Sequence, residues 1–127
     1  MKKLYLILLL IMILMIAGCS PIKHTKESLD SLSNCLADKN VKEYGAFWCP
    51  NCAKQQKMFG SSYDTIKERQ VYVECDPRGE NPQPELCLEK NVLKYPDWEF
   101  SDGTRLVGVQ DLETLATQAG CEIPVLK

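Results

Sequence analysis

The apolar residues form one continuous block near the N-terminus and several shorter periodic segments after it. The block runs from Leu4 to Ala17 and follows a basic start at Lys2 and Lys3. A helix needs about 20 apolar residues to cross a bilayer, so this shorter block has the length of the hydrophobic region of a secretory signal peptide. We therefore predict a signal peptide that is not part of the folded domain.

A short motif follows the apolar block. Ile16-Ala17-Gly18-Cys19-Ser20 resembles the lipobox of bacterial lipoproteins, in which the signal peptide is cut before a cysteine that carries the lipid. The resemblance implies a signal peptide at residues 1–18, a lipid on Cys19, and a cell-membrane anchor that faces the periplasm or the cell exterior. The alternative is an ordinary signal peptide or an uncleaved anchor, in which Cys19 has no role.

The polar residues 19–27 show no apolar periodicity, which predicts a tether in which His24 is solvated. Residues 28–127 contain apolar positions with the periods of helices and strands. Their number is enough for one domain and little more. We therefore expect a lipid anchor, a short tether and one folded domain.

The periodicities within that domain predict helices and strands in alternation. In the order helix, strand, helix, strand, helix, strand, strand, helix, they cover residues 27–39, 41–48, 50–59, 70–74, 85–90, 97–100, 105–109 and 111–120. Pro50 suits the first turn of a helix, and Gly120 ends the last helix. Asp102-Gly103 indicates a two-residue hairpin turn between the last two strands.

The chain has seven cysteines, an odd number that calls for an explanation in an exported protein. If Cys19 carries lipid, six remain, and an oxidising compartment allows them to form disulfides. Among the fifteen pairings that six cysteines allow, spacing and loop composition favour Cys49–Cys52, Cys75–Cys87 and Cys35–Cys121. The second pair brackets a proline-rich loop, and the third joins the two ends of the folded region. The two outer pairs are hypotheses, which a bridge between Cys35 and Cys75 would contradict.

The segment Phe47-Trp48-Cys49-Pro50-Asn51-Cys52 places two thiols at the start of a predicted helix. Unpaired N–H groups and the helix dipole favour a negatively charged sulfur on Cys49. We expect an exposed Cys49 to attack a substrate disulfide and a more buried Cys52 to resolve the mixed disulfide. The alternatives are a purely structural bridge and a zinc site. Zinc commonly takes two close pairs of ligands, and Cys75 and Cys87 are too far apart in sequence to form such a pair.

Charge and composition argue against several other classes of function. A formal net charge of −2 argues against nucleic acid as a partner, since nucleic-acid-binding proteins carry basic patches. The chain has one histidine, so histidine-based catalysis is not expected. The two thiols carry electrons themselves, and we therefore predict no cofactor and no metal.

The chain resembles the thioredoxin superfamily from about Leu29 to Gly120. The resemblance rests on the cysteine motif after the first strand, on Lys94-Tyr95-Pro96 before the third, and on the Asp-Gly hairpin that leads to Gly108. A further similarity, to the thioredoxin-like domain associated with bacterial relatives of vitamin K epoxide reductase, lies in residues 44–50, 72–75, 85–87, 95–99 and 108–110. The resemblance implies a thioredoxin fold: a central mixed β-sheet flanked by helices, βαβαββα with an extra N-terminal helix.

The resemblance also assigns roles around the cysteines. It implies that the Tyr95–Pro96 peptide bond is cis and faces them, and that the Tyr95 backbone pairs with an extended substrate segment. The alternative is an ordinary trans proline in a turn. Trp48 and Pro50 are expected to flank the site, with Trp48 shaping the docking surface. Asp97 replaces the threonine that usually follows this proline, a change expected to alter substrate preference or redox poise.

Glu43 lies six residues before Cys49, an offset at which many thioredoxins carry a buried acid. It is therefore a candidate general base for Cys52. The alternative is a solvated residue on the strand. An unchanged rate of mixed-disulfide resolution in Glu43→Gln would exclude the base role.

These features together predict a membrane-tethered thiol–disulfide oxidoreductase that works outside the cytoplasm as a monomer. Its expected partners are protein thiols and disulfides of exported proteins, or a membrane redox partner related to vitamin K epoxide reductase. The alternatives are a non-enzymatic, disulfide-stapled binding lipoprotein on the same fold and, less favoured, a metal-delivery protein. The Pro50-Asn51 dipeptide shares its proline with the oxidants of the resembled family.

Overall fold

A computed structural model describes residues 1–7 and 23–123 of the chain. The predicted lipidation site Cys19 and most of the predicted signal peptide lie outside the described residues. Within the described residues, no helix combines the length and the apolar character that are needed to cross a membrane.

Helices alternate with short strands along the domain. The elements in chain order are helix α1 (Lys26–Asp38), strand β1 (Lys42–Gly45), helix α2 (Pro50–Phe59), a 3₁₀ turn (Gly60–Ser62), helix α3 (Tyr63–Glu68), strand β2 (Tyr72–Glu74), helix α4 (Pro84–Glu89), strands β3 (Asp97–Glu99) and β4 (Arg105–Val107), and helix α5 (Leu112–Ala119). The strands are shorter than the periodicity predicts. Helix α3 is not predicted, because Gly60 and the two serines after it have the composition of a helix end.

The four strands form one sheet in the order β2-β1-β3-β4. Strand β1 is parallel to β2 and antiparallel to β3, and β3 is antiparallel to β4. This mixed sheet with flanking helices confirms the predicted α/β class. The register sets Glu43 beside Tyr72 and Gly45 beside Glu74. Because side chains alternate along a strand, these four residues share one face of the sheet.

The largest hydrophobic cluster gathers residues of α1, α2, α3 and α5 around Trp98, the cross-strand neighbour of Glu43. Trp98 is fully buried, and Phe59 stacks on it with ring centroids 6.3 Å apart. Leu32 and Leu36, from the apolar side of the predicted first helix, are also fully buried. Burial of side chains of this size contributes about 1.5–3 kcal/mol each. The cluster therefore fixes α2, which begins at the cysteine motif, against the sheet.

A smaller cluster covers the other face of the sheet. Tyr44 and Val73 lie on this face and pack with Cys75 and Cys87. These two cysteines form a disulfide with their Cα atoms 5.7 Å apart. The bridge closes the proline-rich loop between β2 and α4.

A second disulfide joins Cys35 of α1 to Cys121, which follows α5. The two Cα atoms are 6.0 Å apart, within the ordinary range for disulfides. The bridge ties the first helix of the domain to the last across a sequence separation of 86 residues. Both outer bridges join the cysteines that the sequence pattern favours.

The connection between β3 and β4 differs from the predicted two-residue turn. The Phe100 N–H donates to the Thr104 carbonyl, and the Gly103 N–H donates to the Phe100 carbonyl. Gly103 has a φ of +85°, the left-handed conformation that ends a three-residue hairpin loop. The predicted turn length is therefore wrong, although the Asp-Gly pair does lie in a hairpin.

The end of the predicted tether packs on the domain. Thr25 caps α1, since its Oγ1 accepts a hydrogen bond from the Ser28 N–H at 3.2 Å. His24 Nε2 lies 2.9 Å from Glu113 Oε1 of α5, and the His24 side chain is only 14% exposed. The prediction of a solvated His24 is therefore wrong, because the contact with Glu113 holds the imidazole against α5.

Candidate active site

The cysteine motif lies where β1 ends and α2 begins. After Gly45 the chain turns, and the Cys49 N–H donates to the Ala46 carbonyl at 3.0 Å. Cys49 has extended backbone dihedrals and occupies the N-cap position of α2, and Pro50 is the first helical residue. Proline suits this position because an N–H there would have no partner within the helix. The turn thus places Cys49 at the helix N-terminus and Cys52 in the first turn.

Cys49 and Cys52 are free thiols, whereas the other four cysteines of the described residues are disulfide-bonded. Both free thiols are buried, with exposed fractions of 7% for Cys49 and 5% for Cys52. The prediction of an exposed Cys49 is therefore wrong. Its Sγ lies 3.8 Å from the Tyr95 carbonyl oxygen. Trp48 packs edge-on against the Tyr95 ring, with centroids 6.2 Å apart, so both aromatic residues flank the thiol.

The segment that contacts Cys49 contains a cis peptide bond between Tyr95 and Pro96, the isomer that the resemblance implies. The Pro96 carbonyl accepts a hydrogen bond from the Gly108 N–H at 2.7 Å, which holds the segment against the residue after β4. Asp97 follows, is 4% exposed, and forms an ion pair with Arg105. Asp97, which stands where the resembled family usually has threonine, is therefore held by Arg105 of strand β4.

Glu43 is fully buried on β1. The Tyr63 hydroxyl donates to its Oε2 at 2.8 Å, and Oε1 has no hydrogen-bond partner among the described residues. Burial raises the pKa of Glu43 to about 8, although the hydrogen bond from Tyr63 acts in the opposite direction. The solvated alternative for Glu43 is therefore wrong, because the side chain is fully buried and accepts a hydrogen bond from Tyr63 of α3.

Cys52 lies in surroundings that disfavour its thiolate. Burial has the largest effect and raises the pKa of Cys52. A backbone hydrogen bond with Ala46 lowers this pKa, and the neighbouring Cys49 and Glu43 raise it further. A Cβ at Gly45 would be 2.8 Å from ring carbon Cε2 of Tyr72 and 3.0 Å from the Cys52 Sγ, so only glycine fits between them. Cys52 therefore needs a nearby base to lose its proton at neutral pH.

A cleft of about 580 Å³ lies beside Cys52. Tyr72 and Glu74 of β2 line it together with Tyr63 of α3. Burial raises the pKa of Tyr72 most, and the hydrogen bond to Glu74 raises it further. The Tyr72 hydroxyl therefore stays neutral and can both donate and accept a hydrogen bond.

The loop closed by Cys75–Cys87 contacts the residues that precede Cys49. The Asp76 carboxylate accepts hydrogen bonds from Arg78 and from the Trp48 indole, and these contacts, Arg78 first, hold the pKa of Asp76 well below its usual range. The Arg78 guanidinium lies 5.8 Å from the centre of the Phe47 ring. Phe47 and Trp48 are both more than half exposed, so this loop holds two exposed aromatic rings beside the thiols.

The chain is similar to the thiol-disulfide oxidoreductase LTO1 of Arabidopsis thaliana, with 34% identity over 93 residues. The chain is related to a thiol-disulfide oxidoreductase. The match covers 71% of this chain and 24% of LTO1, so the chain spans about a quarter of that relative's length. No protein-family model matches the chain.

The similarity to LTO1 agrees with the cysteines of this chain. One pair is free and two pairs are bonded among the described residues, an arrangement that suits redox chemistry. Between residues 23 and 123, as in residues 1–7, no three or more His, Cys, Asp or Glu side chains are arranged to hold a metal ion. The buried acids near Cys52 instead accept hydrogen bonds from tyrosine hydroxyls, Glu43 from Tyr63 and Glu74 from Tyr72.

Sequence reasoning finds the two thiols and, around them, Glu43, Trp48 and Tyr95, but it misses the other polar side chains of the site. Tyr63 lies on the unpredicted helix α3. Tyr72 and Glu74 belong to a segment that carries the family resemblance, but the sequence assigns them no role. Gln55 of α2 is fully buried; its Oε1 accepts from the Gln110 N–H at 2.7 Å, and its Nε2 donates to the Gln110 carbonyl at 3.0 Å. A glutamine in a largely polar helix carries no sequence signal for such a role.

Proposed function

We propose that the chain is a thiol–disulfide oxidoreductase with a thioredoxin fold, in which Cys49 and Cys52 exchange disulfides with other proteins. The observation that carries this proposal is the contrast among the cysteines. Two lie free together at a helix N-terminus, and the other four of the described residues are bonded elsewhere. The mixed four-stranded sheet and the Tyr95 carbonyl beside Cys49 support the thioredoxin fold.

In the reducing direction, the Cys49 thiolate attacks a substrate disulfide. An S–S bond forms between Cys49 and the substrate, and one substrate thiolate leaves. The Cys52 thiolate then attacks the Cys49 Sγ, forms the Cys49–Cys52 disulfide and releases the second substrate thiolate. Two electrons thereby pass to the substrate, and the Cys52 proton passes to a base. The oxidising direction reverses the same steps.

Glu43 serves as a base for Cys52 at mildly alkaline pH in this proposal. Its pKa of about 8 is well matched to accepting a proton there, because a general base works best near its own pKa. Glu43 lies on the same face of β1 as Gly45, the residue against which the Cys52 Sγ packs, which supports a location close to the thiol. The buried Oε1, which has no partner among the described residues, is the oxygen available for the proton.

The cellular setting is proposed from the sequence. A signal peptide at residues 1–18, a lipid on Cys19 and a tether at residues 19–27 would hold the domain, residues 28–127, at the membrane outside the cytoplasm. The substrates would be protein thiols and disulfides of exported proteins. The similarity to the domain associated with bacterial vitamin K epoxide reductase relatives supports a membrane redox partner. We propose a monomer that binds no nucleic acid and uses no diffusible cofactor.

Trapping of the mixed disulfide tests the proposed function. In Cys52→Ala the second step is blocked, so a disulfide between Cys49 and a protein substrate should accumulate and be released by dithiothreitol. Cys49→Ala is the matched control and should trap far less. Absence of any adduct through Cys49 would favour the non-enzymatic binding lipoprotein and overturn the proposal. The reduction potential of the pair, measured by equilibration with glutathione, decides the direction of electron transfer.

A further inference from the structure

Cys52 and Tyr72 lie on either side of Gly45 of β1, which has no side chain. A Cβ at Gly45 would lie 3.0 Å from the Cys52 Sγ and 3.3 Å from the Tyr72 hydroxyl oxygen. The thiol and the hydroxyl therefore border the same small space. One water molecule in this space would bridge the thiol and the hydroxyl and let a proton pass between them.

Tyr72 is joined in turn to Glu74. The Tyr72 hydroxyl donates to Glu74 Oε2 at 2.9 Å, and Glu74 Oε1 accepts the Asp76 N–H at 2.9 Å. Glu74 is only 4% exposed. Gly79 packs so closely against it that a Cβ there would be 2.4 Å from the Glu74 side chain. The loop that begins after Cys75 thus fixes the carboxylate against Tyr72.

The cleft beside Cys52 reaches this pair. Cys52, Tyr72 and Glu74 all line it, and its volume of about 580 Å³ is enough for many water molecules. The exposed Glu80 lies at the same cleft. A proton that arrives on Glu74 therefore has an aqueous route out of the protein.

We propose that Tyr72 and Glu74 form a proton relay that deprotonates Cys52 during resolution, an inference that rests on the proposed function above. The Cys52 proton passes through a bridging water molecule to the Tyr72 oxygen while the Tyr72 hydroxyl proton passes to the Glu74 carboxylate. The Cys52 thiolate then bonds to the Cys49 Sγ, the Cys49–substrate S–S bond breaks, and the substrate leaves as a thiolate. Glu74 returns its proton to water in the cleft. Each step reverses in the oxidising direction.

The relay supplies a route that Glu43 does not supply at neutral pH. Because the pKa of Glu43 is about 8, Glu43 mostly holds its own proton at neutral pH and cannot accept another. The titratable groups that surround Cys52 and Tyr72 are Glu43 from β1, Cys49 from the start of α2, Tyr63, Lys67 and Glu68 from α3, Glu74 from β2, Glu80 from the loop, and Tyr95 before β3. Of the two buried carboxylates, Glu74 is the one with a tyrosine between it and the thiol.

A single-turnover reaction separates the two steps. The reduced full-length chain, purified in detergent, reacts with the aromatic disulfide dithiobis(nitrobenzoate). Attack by Cys49 releases one thionitrobenzoate anion and resolution by Cys52 releases a second, so stopped-flow absorbance gives both rates across a pH series. Tyr72→Phe and Glu74→Gln are compared with Glu68→Gln, a matched glutamate that lines the same cleft.

Near neutral pH, the second release should slow about tenfold or more in Tyr72→Phe and Glu74→Gln. The first release should stay within about twofold of wild type in every variant, and Glu68→Gln should match wild type in both steps. Above a pH of about 8, where Glu43 ionises, the rates should converge on wild type.

Two results would contradict the relay, and only the second of them would also contradict the proposed function. If Tyr72→Phe keeps the wild-type rate and pH profile of the second release, the relay is wrong and the proposed function stands. If wild type itself shows no second release, Cys52 does not resolve the mixed disulfide, and the proposed function and the relay both fail. If Tyr72→Phe does not fold, Glu74→Gln decides the same question.

Discussion

Trp48 donates its indole N–H to the Asp76 carboxylate at 2.7 Å. The contact joins the residue before Cys49 to the residue after Cys75, although the two lie on separate connections of the sheet. Arg78 binds the same carboxylate. The disulfide-closed loop therefore sets the orientation of an exposed aromatic ring beside the thiols.

Asp76→Ala should release Trp48. The ring then loses its only hydrogen bond in the described residues, and we expect mixed-disulfide formation with a protein substrate to slow severalfold because the docking surface is less ordered. Trp48 is 54% exposed and Trp98 is fully buried, so iodide quenching of tryptophan fluorescence should report on Trp48. Quenching should increase in Asp76→Ala. Asp64→Ala, an exposed acid on α3, is the control and should change neither quantity.

Glu43 should make the stability of the protein depend on pH. Its folded pKa of about 8 lies above the ordinary 4.5, so the folded chain binds this proton more tightly than the unfolded chain between these values. Stability that is fully present below a pH of about 4.5 is therefore lost as the pH rises toward about 8. Glu43→Gln has no group to ionise. Relative to wild type, it should gain a few kcal/mol of unfolding free energy between pH 5 and pH 9.

Urea unfolding of both proteins at the two pH values measures this shift. Glu68→Gln, an exposed glutamate, should parallel wild type. Parallel curves for Glu43→Gln and wild type would show that the buried carboxyl is not the group that titrates.

Gln55→Ala should destabilise the domain strongly. The substitution leaves the N–H and the carbonyl of Gln110 without the partners that Gln55 supplies. A buried polar group that loses its partner costs about 1–3 kcal/mol, so we expect a loss of about 2–4 kcal/mol in unfolding free energy. Gln56→Ala, the exposed neighbour, should lose less than about 0.5 kcal/mol. Equal losses in the two variants would contradict a structural role for Gln55.

The two disulfides should contribute unequally to stability. Cys35–Cys121 spans 86 residues and Cys75–Cys87 spans 12. Chain entropy predicts stabilisation of about 4–5 kcal/mol for the longer loop and about 3 kcal/mol for the shorter one. Paired serine substitutions, compared by urea unfolding, should therefore cost more at Cys35 and Cys121. The opposite order would mean that the bridges stabilise mainly through folded-state contacts.

The order of the elements and the position of the thiols could be predicted from the sequence, because both depend on local spacing. Leu32 and Leu36 are one helical turn apart, and both are buried as the period requires. Pro50 begins α2 as its missing N–H predicts. The predicted element boundaries are wrong where local signals are ambiguous. Gly60 has the sequence character of a helix end, yet the chain continues through a 3₁₀ turn into α3.

The sequence by itself therefore determined an α/β domain with two thiols at the start of a helix, and a cysteine count that favours two further bridges. Only the tertiary structure decided how the polar side chains around those thiols are buried and bonded to one another. Glu43 and Tyr72 are cross-strand neighbours because β1 and β2 pair in parallel, and the sequence does not specify that register. The burial of Glu43 and the contact of Tyr72 with Glu74 follow from that pairing and from the helix and loop packed over it.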